Sequence, residues 1–108
     1  MPAYLIVDTL LENPELYEQY KVRARPLAEQ YGGQYLARGG EFTVKESDLW
    51  SPTRLVVIQF PDATAANSFY DSVAYQEVLK ISKQSAKRTV IVIEGVEATF
   101  GATGLSGT

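Results

Sequence analysis

The sequence predicts an α+β fold in which a four-stranded antiparallel sheet carries two helices on one face. Short β-rich runs and two helical patterns follow in the order strand, helix, strand, strand, helix, strand. Prolines and glycines separate these segments, and the longest strand runs are apolar on both sides. This order is the split βαβ, or ferredoxin-like, arrangement βαββαβ.

The first two predicted elements are a strand and a helix. Residues 3–9, AYLIVDT, are β-rich and follow Pro2. Asn13 is a favoured N-cap, and Pro14 suits the first helical position because the N–H that proline lacks would have no partner there. Pro26 predicts a bend inside the helix, with two shorter helices as the alternative. The helix itself is predicted from apolar residues that recur every three or four positions, namely Leu16, Tyr17, Tyr20, Ala24, Leu27, Ala28 and Tyr31.

The stretch YGGQYLARGG, residues 31–40, contains two glycine pairs. The first pair follows the helix, where a left-handed terminal residue is common, and residues 33–38 then form a strand. The pair Gly39–Gly40 predicts a bulge or sharp bend, after which residues 41–46, EFTVKE, resume the β pattern. A phosphate-binding loop is the alternative, but the sequence lacks the Lys-Ser/Thr pair and the helix that should follow. Element boundaries therefore explain the glycines better.

The second half of the chain is predicted to contain a strand, a helix and a last strand. Residues 47–53 form a loop, and RLVVIQF at 54–60 is the most apolar strand. Asp62 can cap the helix that follows, and Ser72 interrupts this helix and can cap a second piece. RTVIVIEG at 88–95 is the last strand.

Both faces of the predicted sheet are apolar. In the first strand Leu5 and Val7 lie on one face, whereas Tyr4 and Ile6 lie on the other. Two helices can cover only one face, and an antiparallel sheet with one face in water normally alternates apolar and polar residues. An exposed apolar face indicates an interface, and the same face of a second copy is the simplest cover. We therefore predict a homodimer formed through the open sheet face.

The composition limits the classes of function. The 108 residues suffice for one domain, predicted over 1–96, and a small, polar, glycine-rich tail over 97–108. The chain has no histidine and no cysteine, which removes the commonest general base and any thiol nucleophile, and no carboxylate spacing indicates a metal site. A net charge of −3 with scattered lysines and arginines argues against nucleic-acid binding. Neither a membrane helix nor a signal peptide is recognisable, so we predict a cytoplasmic protein without a cofactor.

Five segments resemble a known family: AYLIVD, YGGQYLARGG, RLVVIQFPD, FYDSVAYQEV and IVIEG, which together span residues 3–95. The chain resembles the family of domains of unknown function numbered 1330, in the dimeric α/β-barrel superfamily. The resemblance implies the ferredoxin-like fold and a barrel-like dimer, but no activity. The wider superfamily includes cofactor-free monooxygenases, haem-degrading enzymes, chlorite dismutase-like proteins and lactone isomerases, with pockets between sheet and helices. Haem members usually rely on a histidine, which this chain lacks, and a frequent arginine late in the last helix is replaced here by Ser82 and Lys83.

Candidate ligand-binding residues lie around the glycine-bracketed strand and in the interrupted helix. Arg38 offers a rigid bidentate fork for an anion, and the following glycines let a ligand approach the backbone; the alternative is a surface arginine beside a bulge. A break at Ser72 could bring the nearby tyrosine hydroxyls toward a pocket, although aromatic residues at helical spacing more often belong to the core. The full candidate set is Tyr35, Arg38, Gly39, Gly40, Arg54, Tyr70, Ser72 and Tyr75.

Three further residues lie outside the candidate ligand-binding set. Asp8 and Glu94 lie near strand ends and would be candidate bases if buried, but such carboxylates are more often solvated or paired with an arginine such as Arg54. Trp50, in a loop with a proline, is either a pocket lid or a dimer contact.

These observations favour a small homodimeric domain that binds a small organic molecule, with cofactor-independent chemistry of the monooxygenase or isomerase type as its enzymatic form. No catalytic base is assigned. The alternative is a non-catalytic structural or assembly module whose core is filled by its own side chains. A cavity of roughly 300 Å³ or more with convergent polar groups would favour ligand binding, and a packed interior would favour the module.

Overall fold

The computed structural model describes residues 1–96, and the predicted tail at 97–108 lies outside them. The described part comprises β1 (Ala3–Leu11), α1 (Pro14–Gln30), β2 (Gln34–Arg38), β3 (Leu55–Phe60), α2 (Ala63–Asp71), α3 (Val73–Ser85) and β4 (Ala86–Glu94). The strands form one antiparallel sheet in the order β2-β3-β1-β4. This is the ferredoxin-like α+β fold, and it confirms the predicted fold class.

Helix α1 begins where the sequence predicts. The Asn13 side chain accepts a hydrogen bond from the backbone N–H of Leu16 at 3.1 Å. The helix is continuous through Pro26, so the alternative of two shorter helices is wrong. Pro26 leaves the carbonyl of Val22 without its helical partner, but Val22 is exposed, so water can take that place. A bend at Pro26 stays a prediction.

The second helical pattern divides into α2 and α3 at Ser72, as its interruption predicts. The Ser72 hydroxyl donates to the carbonyl of Phe69 at 2.8 Å and accepts from the N–H of Tyr75 at 3.2 Å. It therefore ends one helix and caps the next. Asp62 caps α2 through the N–H of Ala65 at 2.8 Å. Within residues 1–96, no helix combines the length and the apolar character that crossing a membrane requires.

The predicted strand over residues 41–46 is wrong. β2 stops one residue before Gly39, whose φ of +72° turns the chain away from the sheet. Residues 39–54 form an irregular connection, so 41–46 has no neighbouring strand with which to pair. Of the two alternatives predicted at the glycine pair, the sharp bend is present at Gly39, whereas the bulge lies earlier, at the register shift against β3 between Tyr35 and Ala37.

The core lies between the helices and one face of the sheet. Phe69 of α2 packs against Phe60 with ring centroids 5.6 Å apart and against Tyr75 at 4.5 Å. From the sheet, the buried members of the core cluster are Leu5, Val7, Val56, Ile58, Phe60 and Ala86.

No helix or strand within residues 1–96 covers the opposite face of the sheet. Leu36, Ile91 and Ile93 point to this face and keep 51%, 49% and 50% of their surface exposed. Tyr4 and Ile6 of the central strand lie on the same face and are only partly buried. The predicted apolar character of both faces is therefore present in the structure.

Candidate functional site

A cavity of about 30 Å³ lies between the sheet and the helices. Its apolar walls come from β1 and β3, through Leu5, Val7, Val56 and Ile58. Four tyrosines and four cationic side chains complete most of the lining, and none of the acidic residues within 1–96 lines it. The volume is far below the roughly 300 Å³ typical of a ligand pocket, but polar groups do converge on it.

Arg88 and three tyrosines form a hydrogen-bonded group in this lining, which we call the arginine–tyrosine cluster. Arg88 Nη1 donates to the hydroxyl of Tyr20 at 2.9 Å and to that of Tyr17 at 3.4 Å, and Nη2 donates to Tyr75 at 3.0 Å. The Tyr20 and Tyr75 hydroxyl oxygens lie 2.7 Å apart, and one donates to the other. The guanidinium carbon also lies 4.9 Å from the centroid of the Tyr20 ring, a cation–π contact.

The alternation of β4 and the spacing of two helices bring the cluster together. Arg88 shares the inward face of β4 with Val90, because residues two apart in a strand point the same way. Tyr17 and Tyr20 are three residues apart on α1 and therefore neighbours on its surface. Tyr75 lies in the first turn of α3. Two helices thus direct three hydroxyls at one strand residue.

Burial and mutual contact shift the pKa values of Tyr20 and Arg88. Burial raises the pKa of Tyr20, and Tyr75 raises it further, while Arg88 lowers it by less. Burial alone would lower the pKa of Arg88, but the oxygens of Tyr20 and Tyr75 outweigh this, and the net shift is upward. At neutral pH the cluster therefore combines the protonated hydroxyl of Tyr20 with a charged guanidinium.

Lys21, Arg38 and Arg54 line the cavity on the side of Glu18, and we call them the outer cations. Lys21 Nζ lies 2.7 Å from a carboxylate oxygen of Glu18, which is itself exposed. The hydrogen bond and charge of Lys21 lower the pKa of Glu18, and the charges of Arg38 and Arg54 add to the effect. Glu18 therefore lies within the influence of all three outer cations.

Local packing holds two of the outer cations in place. The Arg54 guanidinium covers Gly39 so closely that a Cβ on Gly39 would lie 2.8 to 2.9 Å from it. Arg38 lies over the ring of Tyr35, 5.1 Å from the centroid, and Arg25 lies 5.8 Å from the same ring. Burial raises the pKa of Tyr35, so its hydroxyl also remains protonated at neutral pH.

Four of the eight predicted site residues line this cavity, namely Tyr35, Arg38, Arg54 and Tyr75. They come from separate parts of the chain, on β2, beside β3 and on α3. Their role in binding stays a prediction, but the structure places them together.

The other four predicted residues do not line the cavity. Gly39 makes room for the Arg54 guanidinium, and Gly40 has open space where a side chain would be. Ser72 is a helix cap, as described above. Tyr70 packs its ring 5.2 Å from that of Tyr75 but faces a separate cleft.

That cleft, which we call the outer cleft, has a volume of about 230 Å³ and lies between α3 and β4. Tyr70, Ser82, Lys83 and Arg88 contribute its polar lining. Arg88 therefore lines both the cavity and the outer cleft. Ser82 and Lys83, which replace the arginine that the family resemblance implies late in the last helix, both line this cleft.

The sequence reasoning missed four residues that line the cavity, Tyr17, Tyr20, Lys21 and Arg88. A signal for Arg88 was present in the sequence, because it shares the two-residue period of Val90 and Val92 in a strand otherwise apolar on that face. The tyrosines of α1 were identified only as an apolar helical face.

Asp8 lies outside the cavity and fixes the connection at 39–54. Its carboxylate accepts from the indole N–H of Trp50 at 2.9 Å, from the N–H and hydroxyl of Thr53 at 2.9 and 2.8 Å, and from the N–H of Arg54 at 3.0 Å. The slight burial of Asp8 raises its pKa, but these hydrogen bonds together outweigh it and lower the pKa. Trp50 thus anchors its loop through Asp8.

Glu94 does not form a pair with Asp8. Across the β1–β4 ladder Asp8 lies opposite Thr89, whereas Glu94 lies opposite Ala3, at the other end of the sheet. Residues 1–96 contain no group of three or more histidine, cysteine, aspartate or glutamate side chains placed to hold a metal ion.

A family described as a domain of unknown function, DUF1330, matches residues 2–96. The chain belongs to the DUF1330 family. The match covers every element of the fold, which confirms the resemblance found in five sequence segments. Comparison of this DUF1330 chain with curated proteins gives no match.

Solved structures of similar fold include proteins of unknown function and one oxygenase. A Rhodopseudomonas palustris protein of unknown function is 16% identical, with a TM-score of 0.71 over 90% of this chain and 84% of that one. A dimeric ferredoxin-like protein of unknown function from Jannaschia sp. CCS1 is 14% identical, with a TM-score of 0.68 over 88% of this chain and 100% of that one. SnoaB, a cofactor-independent oxygenase from Streptomyces nogalater, is 8% identical, with a TM-score of 0.63 over 93% and 97%. At these identities the likeness concerns the fold alone.

Proposed function

We propose that this DUF1330 protein is a small homodimeric domain that binds a small organic molecule between its sheet and its helices. The arginine–tyrosine cluster carries the proposal. Burying three hydroxyls and part of a guanidinium costs free energy that an apolar core would avoid. Buried charged groups that converge on a cavity are typical of binding sites. The cytoplasmic location stays a prediction.

The size of the cavity limits how a ligand would bind. A volume of about 30 Å³ accommodates one functional group of a ligand and not a whole molecule. The remainder would lie among the outer cations or, on the other side of Arg88, in the outer cleft of about 230 Å³. Arg88 is the residue common to both spaces.

Cofactor-independent chemistry on the bound molecule is the enzymatic form of this proposal. The fold it shares with SnoaB supports it, and so do donors that would stabilise negative charge developing on a ligand oxygen. No carboxylate of the part of the chain that the structure describes lines the cavity, and we assign no catalytic base.

A non-catalytic structural or assembly module is the second candidate. The small cavity favours it, because a volume so far below roughly 300 Å³ is what a core filled by its own side chains leaves.

Native mass spectrometry of the purified protein separates the two candidates. A binding domain is expected to retain a small molecule, or to gain melting temperature with members of a metabolite library. Replacing Arg38 by alanine should abolish that gain, whereas Arg23→Ala, which removes an exposed arginine from α1 outside the cavity, should leave it unchanged. A protein that retains nothing and responds to no compound would establish the filled module instead.

A further inference from the structure

We propose that the ligand of this site is a small organic carboxylate, held by its charged oxygens between the arginine–tyrosine cluster and the outer cations. The inference rests on the proposed function and adds the chemical class of the ligand. It follows from the balance of charge, the balance of hydrogen-bond donors and the size of the cavity.

The charge around the cavity is opposite to that of the chain. The net charge of the protein is −3, yet among the described residues four cations and no acidic side chain line the cavity. Within residues 1–96 none of Arg38, Arg54 and Arg88 forms an ion pair with a carboxylate, whereas the exposed Arg25 pairs with Glu29. Three arginines that line one cavity without a carboxylate in an ion pair match an anionic ligand.

The hydrogen bonds of the cluster leave donors in excess. The hydroxyls of Tyr17, Tyr20 and Tyr75 each accept from Arg88, and together they carry three protons. One of these protons joins Tyr20 to Tyr75. In the described part of the chain, no hydrogen bond uses the other two. A group with only acceptors is the complement, and an ionised carboxylate is such a group.

The size and the walls of the cavity indicate which kind of carboxylate fits as a ligand. About 30 Å³ is enough for a carboxylate-sized group. The apolar walls formed by Leu5, Val7, Val56 and Ile58 suit the carbon atoms next to it. A ligand with one carboxylate on a short aliphatic or aromatic skeleton satisfies both features.

Benzoate and benzamide form a probe pair of nearly equal shape and different charge. We expect benzoate at millimolar concentration, with the ionic strength held constant by sodium chloride, to shift the NMR signals of the Tyr20, Tyr35 and Tyr75 rings. Benzamide should bind at least about tenfold more weakly than benzoate, because it cannot form the charge-assisted hydrogen bonds of a carboxylate.

Variants of the outer cations locate the site without removing the buried Arg88. Arg54→Met and Arg38→Met should each weaken benzoate binding about tenfold, the usual effect of losing one charge-assisted contact. Arg23→Met removes an equal charge from the exposed face of α1 and should leave the affinity unchanged. An equal loss in all three variants would indicate attraction by net charge alone and would contradict the proposal.

The outcomes separate this inference from the proposed function. If benzamide shifts the same ring signals as strongly as benzoate, the pocket binds small molecules but the carboxylate assignment is wrong. If neither probe shifts those signals, the carboxylate assignment is wrong, and retention of a small molecule or a gain in melting temperature with the metabolite library decides the binding function separately. A selective response to benzoate that depends on Arg54 supports both.

Discussion

Arg88 occupies an inward-facing position of β4 that a purely structural core would give to an apolar residue. The predicted strand begins at this residue, so the alternation of Val90 and Val92 was not extended back to it. In the structure β4 begins at Ala86, and the same alternation places Arg88 beneath the helices. A residue at the predicted end of a strand is the hardest to assign to a face, because the strand period needs neighbours on both sides.

The tyrosines show how a correct pattern can hide a polar site. Tyr17 and Tyr20 belong to the buried face of α1, as their spacing predicts. The spacing says nothing about what their hydroxyls contact, because that depends on Arg88, 68 to 71 residues away in the chain. Tyr75 was among the predicted site residues because of its hydroxyl. The structure places it in the cavity lining.

Asp8 gives a prediction with a pH dependence. Asp8→Asn should lower the free energy of unfolding by about 1 kcal/mol at neutral pH, since an amide cannot accept all four hydrogen bonds. The hydrogen bonds lower the pKa of folded Asp8 below its ordinary value of 3.8. Its stabilisation is therefore complete above pH 3.8 and is lost as the pH falls through the lower pKa of the folded state. The difference between the two proteins should shrink in that acid range.

Urea unfolding followed between neutral pH and pH 3 measures this difference. Asp48→Asn is the matched control, because Asp48 is an exposed aspartate in the same connection. A gap between wild type and Asp8→Asn that stays constant down to pH 3 would show that the charge of Asp8 is not what holds the connection.

At the level of elements, boundaries that depend on local chemistry were predictable. Asn13, Asp62 and Ser72 were all identified as caps, and each accepts the expected hydrogen bond from a backbone N–H. The strand at 41–46 was not predictable in this way. Its alternation is typical of a strand, but a strand also needs a partner, and the partner depends on where Gly39 directs the chain.

Gly39 and Gly40 form a natural pair for testing that turn. Gly39→Ala should lower the free energy of unfolding by about 1 to 3 kcal/mol, because its φ of +72° is costly for alanine and the new Cβ would meet Arg54. Gly40→Ala should change stability by less than about 0.5 kcal/mol, because its Cβ meets no atom within 4 Å. Urea denaturation of the two variants measures the contrast, and equal stabilities would show that Gly39 does not fix the end of β2.

At the scale of the whole molecule, the sequence predicted the shape of the sheet and the uncovered face but not the interior. The strand order follows from the order of elements, and the two apolar faces follow from alternation, so both could be read without tertiary contacts. The cavity could not be predicted, because it depends on how residues from all seven described elements and one connection meet. The positions of the arginines in the sequence also did not show that Arg38, Arg54 and Arg88 lie around one cavity.

The open sheet face carries the last prediction, which concerns the homodimer. Leu36, Ile91 and Ile93 are half exposed on this face, and the similar Jannaschia protein is described as dimeric. If a second copy covers the face, Ile91→Glu places a charge from each protomer in an apolar interface. Burying charges without partners costs about 3 kcal/mol or more, so the dimer should weaken at least a hundredfold.

Analytical ultracentrifugation at micromolar concentration should show wild type as a dimer and Ile91→Glu as a monomer. Val22→Glu, which changes an exposed apolar residue of α1, should remain dimeric. A wild-type monomer, or a dimer that tolerates Ile91→Glu, would mean that this face is not the interface.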